Sequence, residues 1–186
     1  MRERSQATRE WVTDWRSRWY VGVTSVSLAL LMPVLLSAQT VDPQGLAPSV
    51  PATGSTRAVP TDPRSIQQRV NVLLTRLSIP ESVQVDVVSG DSRIASVVPV
   101  DEDCRIFRLV LDASFMESLS EDELTASLAH ELGHVWVFTH HPYLQTERLA
   151  NEIALRLVIR DSLARLYAKL WQWQGAKGDL VRVLGD

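Results

Sequence analysis

The sequence predicts an α+β fold: a small antiparallel or mixed sheet packed on one buried helix and on the helix after it. Three patterns carry this expectation. Val83, Val85 and Val87 alternate with Gln84 and Asp86, the two-residue period of a half-buried strand. Ile66, Val70, Leu73, Leu74 and Leu77 recur at the spacing of one helix face. Leu124, Leu128, Leu132 and Val135 repeat that spacing further along, directly after a helix-start signal.

The chain divides into three segments. Residues 1–19 hold Arg2, Arg4, Arg9, Arg16 and Arg18, and residues 20–38 carry no charge. Residues 1–38 therefore read either as a signal peptide cleaved near Ala38 or as an uncleaved signal-anchor. Leu36 is a poor match to a cleavage site, whereas Pro33 weakens a span, so both readings stay open. Either one exports the C-terminal part of the chain. The expected localisation is a single-pass membrane protein with its domain on the outer, periplasmic or extracellular, side, or a secreted or periplasmic protein after cleavage. In the anchored case the membrane is a partner. Residues 39–61, with Pro43, Pro48, Pro51 and Pro60, read as an extended linker. Residues 62–186 form the folded domain.

Within that domain each element has a local cause. Asp62 caps the first helix with Pro63 at its first position, and Pro80 closes the segment. Ser82 to Val88 is the first strand, and Gly90-Asp91 turns the chain. Ile94 to Val100 is the second strand, with Pro99 restricted to its end or an edge. Asp101, Glu102 and Asp103 make a solvated hairpin tip, and Cys104 to Leu111 is the third strand. Residues 113–118 form a short helical turn. Ser120 and Glu123 then make a capping box. The helix they start runs to about Phe138, and Pro142 blocks its continuation. A long helix extends from about Leu144 to Trp173, with two apolar rows, and Leu180 to Leu184 is an edge strand. Trp136, Trp171 and Trp173 read as packing residues.

The formal net charge is -3, and no basic stripe lies beyond residue 60, which argues against a nucleic-acid partner. Cys104 is the single cysteine, so no intrachain disulfide can form, and it reads as a small buried hydrophobe.

The chemistry concentrates in His130-Glu131-Leu132-Gly133-His134. Residues four apart on a helix lie one above the other, so both imidazoles can meet a single zinc ion (Zn2+). Glu131 is turned about 100° from His130, placing it to act as general base toward water at the ion without ligating it. All 4 histidines of the chain fall between residues 130 and 141. A catalytic zinc needs a third protein ligand. Glu147, at the start of the next helix, is the first choice, and Glu152 and His140 are the alternatives. Asn151 lies one turn beyond Glu147, where it can hydrogen-bond a zinc-binding imidazole.

The stretch from about Val85 to Ile153 resembles the core of the gluzincin metallopeptidases of the HtpX-like and CAAX-prenyl protease family. The resemblance rests on Arg105 to Leu111, Phe115-Met116, Leu119 to Leu124, Leu128 to His134, and Glu147 with Ala150-Asn151. It implies a minimal zincin-like domain with His130, His134 and Glu147 on zinc and Glu131 as the catalytic base. Two departures stand out: only twelve residues separate His134 from Glu147, and Asn151 replaces the family's Asp. The activity implied is hydrolysis of a peptide or protein substrate. His140, His141, Tyr143 and Arg156 are candidates for stabilising the oxyanion, and the edge of the second strand is a place for an extended substrate. The rival reading is a catalytically inactive zinc-binding scaffold domain of the cell envelope.

Overall fold

The computed structural model describes residues 62–185, all within one unit, Thr56–Asp186. The elements are α1 (Pro63–Leu77), β1 (Ser82–Val88), β2 (Ala95–Pro99), β3 (Ile106–Asp112), α2 (Ala113–Ser118), α3 (Glu121–His140), a 3-10 turn (Pro142–Leu144), α4 (Glu147–Ala154), α5 (Arg160–Trp173) and α6 (Leu180–Leu184). The fold is α+β, with a mixed sheet packed against helices, as the sequence predicts.

The first helix is built as its sequence dictates. The Asp62 carboxylate accepts from Ser65 N–H, Pro63 occupies the first turn, and Ser78 ends the helix in the left-handed region. Its five periodic apolar residues are all buried. The sheet has the order β1-β3-β2. β3 is central, antiparallel to β2 through the acidic hairpin and parallel to β1. Asp101 closes the hairpin tip by accepting from the Arg105 and Ile106 N–H groups. Phe107, Leu109 and Leu111 on β3 are fully buried, and Phe107 meets Phe138 of α3 edge to face at 5.6 Å.

The two sheet edges differ. On β1 the Gln67 side chain donates to Val83 C=O at 2.8 Å and accepts from Val85 N–H at 2.9 Å. One amide thus stands in for a strand and closes that edge to pairing. On β2, Val100 N–H donates to Ile106 C=O, and Ile94 C=O accepts from Asp112 N–H. With that alternation, the backbone of Val97 faces away from β3.

Helix α3 is the centre of the domain. Both halves of its capping box form, at 2.7 Å and 3.4 Å. It is apolar on almost every side and packs against β2, α1, α4 and α5. Its approach to α4 is unusually close. A Cβ added to Gly133 would collide with the Ala150 carbonyl, so only glycine admits this spacing.

Three expectations need correction. The helix from Leu144 to Trp173 is divided into a 3-10 turn, α4 and α5. Thr146 caps α4 by accepting from Leu149 N–H, and the chain turns over residues 155–159, where Arg156 and Leu157 N–H groups make short i to i+3 bonds to Ile153 and Ala154. Leu180 to Leu184 is a helix and not a strand, because the Asp179 carboxylate accepts from Val181 and Arg182 N–H. Third, the membrane span, the signal segment, the membrane as partner and the single-pass localisation are corrected. Among the described residues no helix is long and apolar enough to cross a membrane. Residues 20–38, on which the span was read, and the linker over 39–61 lie outside the described residues.

The Gly133 contact yields a prediction. Gly133→Ala forces α3 and α4 apart and destabilises the domain by about 1–3 kcal/mol, the usual cost of overpacking. Urea unfolding in the presence of a chelator measures it, and an unchanged midpoint would show that the helices are free to separate.

Candidate metal centre

Helix α3 presents His130 and His134 one turn apart. Their rings are perpendicular with centroids 4.7 Å apart, and their Nε2 atoms are 3.2 Å apart. Glu147, the first residue of α4, reaches across the α3–α4 contact. Its Oε2 is 3.2 Å from His130 Nε2, and its Oε1 is 3.6 Å from His134 Nε2. Metal bonds of about 2.0–2.1 Å in a tetrahedral shell place neighbouring donor atoms about 3.3–3.4 Å apart. The two imidazole nitrogens stand close to that value, and the carboxylate approaches them with a different oxygen each, Oε2 toward His130 and Oε1 toward His134. Among the described residues this is the cluster that could hold a metal ion, with all its donor atoms within 4.8 Å of one another.

The remaining ring nitrogens are tied back. His130 Nδ1 lies 2.8 Å from Asn151 Oδ1, and His134 Nδ1 lies 3.5 Å from Gln145 Oε1. Amide oxygens only accept, so each Nδ1 carries a proton, and both Nε2 atoms turn toward the shared point. Gln145 also donates to His134 C=O, at 3.3 Å, which fixes it against α3.

Behind the cluster, Asn151 is fully buried. Its Nδ2 donates to Tyr167 OH at 2.8 Å and to Val183 C=O at 2.9 Å. Tyr167 OH in turn donates to Glu147 Oε2 at 3.4 Å.

Glu131 is buried, and its Oε2 has no hydrogen-bond partner among the described residues. An orphaned carboxylate oxygen inside a protein is costly unless a charge or a polar reactant faces it. Burial pushes Glu131 up to about 7, with His130 pulling the other way and Glu147 adding to the rise. Burial also pulls His134 down to about 4. For His130 the effect of burial is overcome by the hydrogen bond and charge of Glu147, with help from Glu131 and Asn151, and it rises to about 9. Burial would raise Glu147, yet the His130 bond and the two imidazoles hold it at about 2. Glu147 thus carries negative charge toward the rings, while His134 is held neutral and able to present a lone pair. The donor set of two imidazoles and one carboxylate suits a borderline ion such as zinc.

The structure does not bring the other candidates into this cluster. Glu152 pairs with Arg148 at 3.2 Å. His140 stacks on Trp136 at 4.1 Å, and the Arg156 guanidinium lies 4.9 Å from the same indole. His141 ends α3 through its N–H to Val137 C=O, and Tyr143 is exposed. Gly133, Gln145, Tyr167 and the Val183 carbonyl join the site without having been singled out by sequence reasoning. Gln145 sits two residues before Glu147 and is within reach of a local argument. Tyr167 and Val183 lie 16 and 32 residues from Asn151 and have no local signal.

No protein-family model matches the chain, and no curated protein matches it. The resemblance to the HtpX-like and CAAX-prenyl family thus stays with the motif residues alone. Among solved structures, the metallopeptidase zymogen abylysin of Pyrococcus abyssi is similar to this chain, with 15% identity and a TM-score of 0.44. The match covers 61% of this chain and 99% of that one.

The shifts set a pH dependence for the metal-free protein. His130, at about 9 when folded and 6.5 when unfolded, stabilises fully below 6.5, and the gain is lost as pH rises through 9. Glu131, raised from 4.5 to about 7, has completed its own loss by then. Below 6.5, His134 reverses the sign, because its folded value of about 4 makes protonation favour the unfolded chain. Stability in chelator is therefore expected to fall as pH rises from about 7 to about 9. Urea midpoints across that range measure it, and the decline should vanish in His130→Gln.

Proposed function

We propose that residues 62–186 are a zinc peptidase domain in which His130, His134 and Glu147 hold the ion and Glu131 is the general base. The observation that supports this reading best is the convergence of two imidazoles and a carboxylate within 4.8 Å of one another, one residue away from a buried carboxylate with an oxygen that has no hydrogen-bond partner among the described residues. A structural metal site has no use for such a carboxylate, whereas hydrolysis needs one. When bound, zinc would polarise the scissile carbonyl and acidify the attacking water.

The chain's own residues supply the rest. Asn151 and Gln145 hold the two imidazoles in one tautomer and one orientation. Glu131 takes the proton of the attacking water and delivers it to the leaving amine. Burial raises the Glu131 carboxyl and leaves it free of protein hydrogen-bond partners at Oε2 among the described residues, so it is available to accept and return a proton. The dry surroundings of α3 strengthen this exchange by keeping bulk water from competing for the Glu131 oxygens. An extended peptide would add along β2, which packs beside α3 and is the edge that Gln67 does not close, and it would enter at Ala95, which is part exposed, because Val97 is buried. The substrate class is thus a peptide segment able to lie as a strand.

The experiment is a pair of variants of the full chain. Glu131→Gln keeps the side-chain shape and should retain zinc while lowering peptide hydrolysis by about 10²- to 10⁴-fold. His134→Ala should lose both zinc and hydrolysis. Metal content and turnover of a mixed peptide library are the readouts. If Glu131→Gln retained full turnover, another group would be the base. A wild-type protein that holds zinc yet cleaves nothing would favour the scaffold.

A further inference from the structure

Tyr167 and the last helix have no part in binding metal or moving protons, yet they make specific polar contacts to the residues that would. Asn151 offers one acceptor and two donors. Its oxygen meets His130, and its two N–H groups are divided between Tyr167 OH and Val183 C=O. Tyr167 is buried, with its ring 5.9 Å from that of His130 and its hydroxyl proton directed to Glu147. The helix that carries Val183 is itself pinned. Arg160 at the start of α5 donates to the Leu184 and Gly185 carbonyls, and Leu184 is buried.

We infer that Tyr167, Asn151 and the carbonyl of Val183 form one positioning relay, through which α5 and the C-terminal helix fix the first histidine and the glutamate of the metal centre together. The relay rests on the zinc-binding reading of the centre and extends it to residues outside the motif. Three elements far apart in sequence converge on one buried amide. Each donor and acceptor on that amide is used once, so no partner can leave without stranding another.

The choice of Asn over Asp at this position has its cause in the same geometry. A carboxylate at 151 could still accept from His130. Its second oxygen would then face the Val183 carbonyl with no proton between them, and two acceptors repel. The amide is the group that satisfies His130, Tyr167 and Val183 at once.

Full-chain Tyr167→Phe, Asn151→Asp and Arg160→Gln test the relay. Zinc affinity by competition with a chelating dye is one readout, the visible spectrum of the cobalt-loaded protein is a second, and the melting temperature of the metal-free protein is the third. Tyr167→Phe keeps the packed ring and removes only the hydroxyl. It should weaken zinc binding about tenfold and alter the cobalt spectrum, while metal-free melting falls only by the few degrees that one stranded N–H costs, less than the loss of affinity would require if packing alone were at work. Asn151→Asp should do the same or more. Arg160→Gln should show a smaller loss in the same direction. The relay is overturned if Tyr167→Phe and Asn151→Asp bind zinc as tightly as wild type with an unchanged cobalt spectrum. It is equally overturned if affinity falls only in step with metal-free melting, which would make the network a matter of packing. Absence of zinc binding by the wild-type chain is a different result, since it removes the metal reading itself.

Discussion

The candidate centre depends on the close contact between α3 and α4 at Gly133 and Ala150. The two imidazoles come from a single helix and would be in register in any helical peptide. The carboxylate and the two ring-orienting amides come from the next segment, and they reach the rings only if the backbones almost touch. A side chain at 133 would hold the helices apart by the width of a methyl group. The separations of 3.2 Å and 3.6 Å from Glu147 to the rings leave no slack for such a shift. A glycine between two histidines is therefore a geometric requirement of the centre and not a flexible point in the helix.

This contact also decides the electrostatics. One buried and one largely buried imidazole with two carboxylates at one place would be prohibitive if each were alone. Glu147, half exposed on its outer side, lowers the cost of positive charge on the rings. Glu131, on the inner side, has no such outlet and is pushed toward its neutral form. The same kind of residue thus takes opposite protonation behaviour a few ångströms apart, set by which side of the rings it occupies. A centre arranged this way sets three donors suited to a cation beside a carboxyl that burial raises in the metal-free protein. Elsewhere in the domain buried charge is handled differently. Glu123 is covered by Lys169 at 2.6 Å and by its own cap, so its carboxyl stays below the usual range despite burial.

Legibility in the sequence tracks distance along the chain. α1 and the start of α3 arise from caps and periodicity contained within a few residues, and their ends fall where Asp62 and Ser120 place them. The strands are readable, but the parallel pairing of β1 with β3 is not, since no local pattern encodes which strand will be a neighbour. Residues 144–173 read as one long helix because their apolar rows continue across residues 155–159 without Gly or Pro. The break serves a tertiary need, which is to turn α5 back so that Tyr167 meets Asn151. The cap at Thr146 is visible in the sequence and is outweighed by that periodicity. The helix at 180–184 reads as a strand in the same way, its alternating apolar residues outweighing the Asp179 cap. The spacing of His130 and His134 and the proximity of Glu147 are open to sequence reasoning because they sit on adjoining elements. The Tyr167 and Val183 contacts are not, because they depend on how the chain returns.

That return gives the C-terminal third of the domain a role its sequence does not announce. α5 and α6 could have been simple covers for the apolar side of α3. They instead deliver two acceptors to one buried amide, and Arg160 anchors the final helix from its far end. Unsatisfied, the buried amide of Asn151 would cost more than its bond to His130 returns. Satisfied on every side, it makes the orientation of the first histidine depend on the packing of the last residues of the chain. The imidazole spacing is fixed locally by α3, but the direction in which His130 points is fixed only once the whole domain has closed.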